Sequence, residues 1–202
     1  MAGRPREFDR NQALRQALEL FWARGFETTS MADLVAALGI ASARIYAAFG
    51  SKEALFREAI ELYESQEGGF ADRALAEEPS ARAAIARLLN EAVQLYTRPG
   101  QPLGCMVVSS AVNCSSDNDG VRQWLAEHRR ARTASIVQRL QVAVQSGELA
   151  GHGDATSLGD YYSTVLHGLS VQARDGASAE QLRKVVALAM GVLDTALDVS
   201  PG

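Results

Sequence analysis

The stretch "GFETTSMADLVAALGIASARIYAAFGSKEALF" (residues 25–56) contains two short helical patterns on either side of a glycine. Gly39 separates a predicted helix over about residues 31–38 from a second over about residues 42–48. Two helices around a short glycine turn are typical of a helix-turn-helix, whose second helix enters the DNA major groove. The stretch therefore predicts a DNA-binding helix-turn-helix, although the turn between any two packed helices can show the same pattern.

The second predicted helix has the composition that a groove-reading helix needs. Its alanines keep it slim enough for a major groove about 12 Å wide, and Ser42, Arg44 and Tyr46 supply hydrogen-bonding tips. Ile45 and Phe49 fall on the opposite side, where we expect them to be buried. This division into a polar and an apolar side favours DNA binding over simple packing.

Charge is distributed in agreement with this interpretation. The whole chain carries a net charge of −4, but residues 1–52 hold seven Arg and Lys against five Asp and Glu. The N-terminal part is thus mildly basic and the remainder acidic, so DNA contact is expected at the N-terminal part alone. Apolar residues make up 47% and charged residues 22%, which are values typical of a folded globular protein.

Neither a membrane segment nor a disulfide framework is indicated. No apolar run approaches the ~20 residues that cross a bilayer, and the N-terminus lacks the apolar core of a signal peptide. We therefore expect a cytoplasmic protein with no membrane partner. Cys105 and Cys114, if on one helix, would lie on opposite faces and could not bridge within it.

Helical spacing continues along the chain, and no strand-like alternation interrupts it. The other predicted helices cover about residues 10–24, 52 into the 70s, 80–96, a short one at "CMVVSSAVNC", 119–146, 154–173 and 178–198. The last two are apolar over a broad face, which predicts a homodimer interface there. A thick monomeric core is the alternative explanation.

Residues 25–56 also resemble the DNA-binding segment of tetracycline-repressor (TetR) family regulators. The matching residues are Gly25, Phe26, Thr29, Ser30, Leu34, Val35, Gly39, Ile40, Tyr46, Phe49, Lys52 and Leu55. The resemblance implies an all-α dimeric regulator of about nine helices, with a three-helix helix-turn-helix domain (residues 1–52) and a ligand-binding and dimerisation domain (residues 53–202). Ala41 stands where the family usually has Ser, so we expect Ser42 to cap the recognition helix, and Arg44 replaces a common Thr or Ser.

Roles at the DNA follow from side-chain chemistry. Lys52 and Tyr46 are expected to contact the phosphate backbone, and Thr29 and Ser30 to hold a second phosphate or simply to cap a helix. Arg44 is the candidate for reading a base, with a phosphate contact as the alternative. The predicted DNA-binding residues are Arg4, Arg6, Thr29, Ser30, Ser42, Ala43, Arg44, Tyr46 and Lys52. Arg4 and Arg6 lie on an N-terminal arm that could enter a minor groove.

The rest of the chain shows no catalytic motif, so we predict no enzyme activity, no cofactor and no metal site. The family resemblance implies an apolar ligand cavity between the middle helices. Its candidate lining residues are Tyr96, Cys105, Met106, Val107, Ser110, Trp124, His128, Tyr162 and His167. The sequence thus predicts a repressor that binds a palindromic operator as a dimer and is released by an unidentified small molecule. A metal- or oxidant-responsive regulator using Cys105, and a helical enzyme or scaffold without DNA binding, remain alternatives.

Overall fold

The computed structural model describes residues 9–111, 118–149 and 154–197. Predictions that concern Arg4, Arg6, Cys114 or His152 therefore lie outside the described residues. Within the described ranges the chain forms helices and no strand, and the all-α prediction is confirmed. The ten helices are α1 (Arg10–Arg24), α2 (Met31–Leu38), α3 (Ser42–Phe49), α4 (Lys52–Ser65), α5 (Phe70–Glu77), α6 (Ala81–Tyr96), α7 (Met106–Ala111), α8 (Asp119–Gln145), α9 (Ala155–Arg174) and α10 (Ala179–Leu197).

The first four helices pack around a cluster of aromatic rings. Phe21 of α1 and Phe26 of the following turn lie 5.1 Å and 5.0 Å from the Phe56 ring of α4, measured between ring centroids. All three rings are buried. Because α1 and α4 share this cluster, they form the base on which α2 and α3 are held.

A sharp turn joins α2 to α3, whose axes meet at 94°, in the range of helix-turn-helix units. Gly39 ends α2 in the left-handed conformation with φ 65°, and its N–H donates to the Val35 carbonyl at 3.0 Å. Ser30 caps the start of α2, and the Asp33 carboxylate reciprocally accepts the Ser30 N–H. The predicted bounds and glycine stop of α2 agree with the structure.

The start of α3 differs from the prediction. Ser42 is the first helical residue, and Ala41 occupies the cap position without a side-chain hydrogen bond. Ser42 therefore does not cap the helix, because the chain already turns one residue earlier. Its hydroxyl instead lies on the exposed first turn of α3.

The predicted long fourth helix is two helices. α4 ends at Ser65, and α5 begins at Phe70 after the pair Gly68 and Gly69. The Gly68 N–H donates to the carbonyl of Tyr63, five residues back, at 2.8 Å, so the regular four-residue ladder stops there. Two consecutive glycines favour such a break because they lose the most backbone entropy in a helix.

The C-terminal body consists of α6, α8, α9 and α10, with α5 and α7 filling its sides. Its core is continuous with that of the first four helices. Trp22 of α1 donates from Nε1 to the Gly104 carbonyl at 2.9 Å, and Arg174 of α9 donates to the Ala23 carbonyl at 3.0 Å. These bonds attach α1 directly to the body.

Large apolar side chains remain on the outer surface of α9 and α10. They are Tyr161, Val171, Val185, Leu188 and Val192, and Leu188 is 79% exposed. Such an apolar face is what the broad periodicity of these helices predicts. In the described part of the chain no single helix is long and apolar enough to cross a bilayer. The pair α2 and α3 reaches the required length and apolar composition only when the two helices are counted together, and they are bent by 94° at the turn between them.

Candidate nucleic-acid interface and ligand cavity

The outer face of α3 is exposed and carries small and polar side chains. Ser42, Ala43, Arg44 and Tyr46 are all exposed, Tyr46 by 47%. On the opposite side Ile45 and Phe49 are buried in the core. Since a narrow helix with an exposed polar face is what a major groove admits, the predicted recognition helix has the geometry that its role requires.

Arg10 fixes the end of α3 to its supporting helices. Its Nη2 lies 2.8 Å from both oxygens of the Glu58 carboxylate, and its Nε donates to the Ala48 carbonyl at 3.3 Å. The same group lies 4.5 Å above the Phe49 ring. One side chain thus ties α1, α3 and α4 together and sets the direction of α3.

Lys52 lies at the first turn of α4. The Lys52 Nζ lies 4.3 Å from the centre of the Phe26 ring, and the side chain is half-buried. Ser51 caps this helix by accepting the Ala54 N–H at 2.9 Å. A cation beside the N-terminus of a helix creates a positive end that suits a phosphate.

Ser30 and Thr29, at the start of α2, differ in exposure. Ser30 is exposed, but its hydroxyl is 2.5 Å from an Asp33 oxygen and accepts the Asp33 N–H. Hydrogen bonds from Ser30 lower the pKa of Asp33, with help from Arg24. Thr29 is fully buried, and its hydroxyl donates to the Gly25 carbonyl at 2.7 Å. The Thr29 hydroxyl therefore stabilises the turn between α1 and α2. The expectation that this side chain faces a phosphate is corrected, because the side chain is not exposed.

A small cavity lies in the body where α4, α5, α6, α8 and α9 meet the start of α7. Its volume is about 40 Å³, and its polar lining residues include Tyr63, Tyr96, Cys105, His128, Arg129 and His167. Tyr63 and Tyr96 are buried, and burial followed by the charge of Cys105 raises the pKa of both phenols. Both hydroxyls are therefore neutral at physiological pH.

The two histidines of the cavity have different surroundings. Burial, together with the charge of Arg129, lowers the pKa of His167, so its imidazole is neutral near pH 7. The His128 Nδ1 is 2.8 Å from a Glu64 oxygen, and its ring packs edge to face on Trp124 at 4.2 Å. Because Glu64 is on α4 and His128 on α8, this pair connects the cavity wall to the helix that supports the DNA face.

Four of the predicted ligand residues do not line this cavity. Met106 and Ser110 are buried in the core, and Tyr162 donates its hydroxyl to the Ala189 carbonyl at 3.1 Å. Trp124 packs against Phe56 at 6.3 Å and under the Arg57 guanidinium. The family resemblance implies a cavity but not which inward side chains face it, and helical periodicity does not separate these four from the lining residues.

Comparison with known proteins covers both parts of the chain. A family model described as bacterial regulatory proteins, tetR family, matches residues 13–59, and one described as a tetracyclin repressor-like C-terminal domain matches residues 81–189. The HTH-type transcriptional repressor ComR of Escherichia coli K12 is 33% identical over 184 residues, which cover 91% of this chain and 88% of that protein. The HTH-type transcriptional repressor BdcR of the same organism is 32% identical, over 97% of this chain and 94% of that protein.

The chain belongs to the TetR family. A solved structure agrees in fold: a cysteine mutant of the TetR family transcriptional regulator CifR complexed with 26-bp double-strand operator DNA. It is 41% identical, covers 95% of this chain and 100% of its own, and has a TM-score of 0.89. The helix-turn-helix and DNA-binding predictions are thereby confirmed at the level of the TetR family, which consists of transcriptional regulators rather than enzymes.

The TetR resemblance implied a cavity, and sequence reasoning identified part of its lining. Tyr96, Cys105, Val107, His128 and His167 lie in its lining, and their role in ligand binding stays a prediction. Tyr63, Glu64, Arg129 and Arg132 were missed. Tyr63 belongs to the apolar stripe of α4, and the pattern of "EHRRAR" in α8 indicates side chains that are partly outward. No single-helix pattern reveals that these side chains share one cavity, because it forms between helices that are far apart in sequence.

Proposed function

We propose that this protein is a dimeric repressor that binds a palindromic operator through α3 and releases it when a small molecule occupies the body cavity. Residues 1–52 supply the DNA contacts, and residues 53–202 supply ligand binding and dimerisation. The protein acts in the cytoplasm. The observation that carries the proposal is the exposed small and polar face of α3, whose opposite side is packed in the core through Ile45 and Phe49.

The predicted contacts divide into two kinds. Lys52, Tyr46 and Ser30 are proposed to position the protein on phosphates, and Arg44 to read a base edge from the exposed side of α3. Ser42 and Ala43 complete the face that approaches the bases. Arg4 and Arg6 are proposed to reach an adjacent minor groove. The names of ComR and BdcR as repressors and the operator complex of CifR support this proposal.

The dimer is supported by the apolar surface of α9 and α10. Exposed Leu188, Val185 and Val192 are costly in water, and burial against a second copy removes them from it. Symmetry then places two α3 helices on one side of the duplex. Two half-sites about one helical turn, roughly 34 Å, apart form a palindrome.

Release follows from the position of the cavity. Its wall includes Tyr63 and Glu64 at the C-terminal end of α4, whose other end carries Lys52. A ligand that fits the cavity better with α4 displaced favours a dimer with a changed spacing of its α3 helices. DNA affinity then falls without any contact between ligand and DNA.

Selection of binding sites from random DNA with the purified full-length protein tests the proposal. An enriched palindrome, bound by a dimer, is the expected result. The control is an α3 double variant, Arg44→Ala with Tyr46→Ala, which keeps buried Ile45 and Phe49 intact. Enrichment of no sequence by the folded wild-type protein, or the same enrichment by the double variant, would contradict the proposed DNA-binding role of α3.

A metal-responsive regulator is the weaker alternative. The described residues contain no group of three or more His, Cys, Asp or Glu placed to hold a metal ion. A thiol-based response has a specific observation in its favour, because Cys105 lines the cavity.

A further inference from the structure

The C-terminal end of α1 receives hydrogen bonds from its own neighbours and from the body. The last carbonyls of an α-helix have no donor from a following turn, so other groups must satisfy them. The Phe21 carbonyl accepts the Gly25 N–H at 2.6 Å. The carbonyls of Arg24 and Gly25 accept the hydroxyls of threonines four residues further on. The two carbonyls between these, those of Trp22 and Ala23, accept from a distant part of the chain.

Arg174 of α9 supplies the donors for these two carbonyls. Its Nη2 donates to the Ala23 carbonyl at 3.0 Å, and its Nη1 donates to the Trp22 carbonyl at 3.4 Å. A guanidinium group suits this position because its planar fork reaches two oxygens and its positive charge faces the negative end of the helix dipole. A side chain of the body, 151 residues away in sequence from Ala23, therefore caps the first helix of the DNA-binding part.

α9 also holds α1 by a second route. The Ser170 hydroxyl accepts the Cys105 N–H at 2.8 Å. The preceding carbonyl, that of Gly104, accepts the Trp22 Nε1–H at 2.9 Å. Gly104 packs so closely on α9 that a Cβ added to it would lie 2.7 Å from the Ser170 carbonyl oxygen. Since Ser170 and Arg174 are four residues apart on one face of α9, the two routes meet at Trp22 and form a closed ring of contacts, the α1–α9 clasp.

α1 connects the α1–α9 clasp to the recognition helix. It has 15 residues and is therefore about 22 Å long, at about 1.5 Å per residue. Arg10, at the other end of α1, donates to the Ala48 carbonyl of α3 at 3.3 Å. A tilt of about 10° at the clasped end thus moves the end beside α3 by about 4 Å. One base pair of DNA adds about 3.4 Å, so a tilt of this size changes the half-site spacing that fits.

The outer face of α9 belongs to the surface proposed for dimerisation. Tyr161 and Val171 are exposed on it, and Val171 precedes Arg174 by three residues. In the proposed dimer, α9 therefore contacts the second copy on one side and holds α1 on the other. The distance between the two α3 helices then depends on the α1–α9 clasp of each protomer.

We propose that Arg174 is a positioning residue that sets the distance between the two α3 helices and thereby decides which half-site spacing the dimer accepts. Trp22 and Ser170 are buried and also hold the fold, whereas Arg174 is exposed and its replacement opens no cavity in the core. Arg174 therefore contributes to the direction of α1 more than to stability. The inference rests on the proposed dimer and its palindromic operator, but the contact of Arg174 with α1 does not depend on DNA.

Operators of altered spacing test this role. The palindrome selected by the full-length wild-type protein is prepared with one base pair inserted or deleted between its half-sites, and also as a single half-site. Affinities are measured for the wild type, for Arg174→Met and for Arg174→Lys, which keeps the charge. Arg122→Met is the matched control, because this arginine is exposed and pairs with Asp119 of its own helix. Circular dichroism establishes the fold of each variant.

The wild type and Arg122→Met should prefer the selected spacing. Arg174→Met should lose about tenfold or more of that preference and keep its half-site affinity within about twofold. Arg174→Lys should lie between them, because an ammonium group keeps the charge but lacks the planar fork. An unchanged spacing preference in Arg174→Met would overturn the proposal. An equal loss on the single half-site would overturn it as well, because the damage would then lie in the DNA-binding helices themselves.

A distance measurement separates this inference from the proposed function. Spin labels are attached to exposed positions of α2 and α8 through Ala37→Cys and Gln141→Cys. The native cysteines are replaced by Cys105→Ser and Cys114→Ser, and labelled protein is diluted with unlabelled protein so that each dimer carries one labelled protomer. Arg174→Met should broaden the distribution of distances between the two labels, or shift its mean by a few ångströms. An unchanged distribution would show that Arg174 does not position α1. A wild-type protein that selects no palindrome would reject the proposed function, and the spacing role with it, while the distribution still decides whether Arg174 positions α1.

Discussion

The proposed role of a single side chain in DNA binding depends on its position in the helix that carries it. Lys52 is the clearest case, because its ammonium group both covers the Phe26 ring and lies beside the N-terminus of α4. The sequence indicated Lys52 by its place in the family pattern. The structure shows in addition that the Lys52 ammonium group packs on the Phe26 ring, and this contact limits the directions in which the side chain can extend.

Lys52→Ala should weaken operator binding by a similar factor on all sequences. Each lost phosphate contact reduces the dependence of log affinity on log salt concentration by about 0.9, so the slope should fall by about 1 per subunit. Titrations at several salt concentrations measure this slope. Lys184→Ala on α10 is the control, since that lysine is exposed and paired with Glu180. An unchanged slope in Lys52→Ala would show that Lys52 contacts no phosphate.

Arg44→Ala should relax sequence preference at one position of each half-site. An arginine that pairs with both acceptors of a guanine contributes about 1–3 kcal/mol of discrimination between bases. Arg44→Lys is the matched control, because it keeps the charge but cannot form the bidentate pair. A library of operator variants provides the measurement. A uniform loss across the library in Arg44→Ala, with affinity kept in Arg44→Lys, would instead assign Arg44 to a phosphate.

His167 should make stability sensitive to mild acid. Burial lowers its pKa in the folded protein below the value of about 6.5 expected in the unfolded chain. The unfolded chain therefore binds more protons between these two values, so the stabilisation is complete above about pH 6.5 and is lost as pH falls through that window. Thermal unfolding between pH 8 and pH 5 should show a smaller acid loss in His167→Gln than in the wild type. Identical profiles would contradict this assignment.

At the scale of elements, caps and glycines decide where helices begin and end. The bounds of α1, α2 and α6 follow from local signals that are legible in the sequence: Asp9, Ser30 and Ser80 as caps, and Gly25 and Gly39 as stops. The division of α4 from α5 was missed although Gly68 and Gly69 are visible. Apolar residues at helical spacing continue past residue 65, at Phe70, Ala71, Ala74 and Leu75, and periodicity cannot show that the hydrogen-bond ladder has stopped.

Gly39→Val should destabilise the α2–α3 turn by about 1 kcal/mol or more. The cost comes from the left-handed backbone alone, because nothing lies within 4 Å of a Cβ at this position. Thermal unfolding measures the change, and operator affinity should fall with it. Gly120→Ala near the start of α8 is the control: its surroundings are equally open and its φ is not positive, so it should not destabilise. Equal stability of Gly39→Val and the wild type would contradict the strain argument.

For the whole molecule, the outer face of α9 and α10 matters most. Its exposed apolar residues lie on the two C-terminal helices, on which a second copy could pack. The sequence predicted an interface here from the breadth of the apolar stripe. The structure identifies which of those side chains the protomer itself does not bury.

Leu188→Glu should dissociate the proposed dimer while leaving the protomer folded. The side chain is 79% exposed in the protomer, so its replacement removes no core packing, but a buried carboxylate at an interface is strongly unfavourable. Analytical sedimentation measures the mass of the particle in solution, and circular dichroism measures its helical content. Affinity for the full palindrome should fall. Leu103→Glu in the loop before α7, also exposed and apolar, is the control. A Leu188→Glu protein that stays dimeric would place the interface elsewhere.

The sequence by itself determined most of the helices, the glycine turn and the polar side of α3, because each depends on residues within a few positions of one another. It also identified Cys105 and His167, but not that Tyr63 and Arg129 lie in the same cavity. Only the tertiary structure decided that Thr29 is buried and that Trp22 bonds to Gly104. Those facts depend on contacts between segments up to 82 residues apart, which packing fixes and local pattern does not contain.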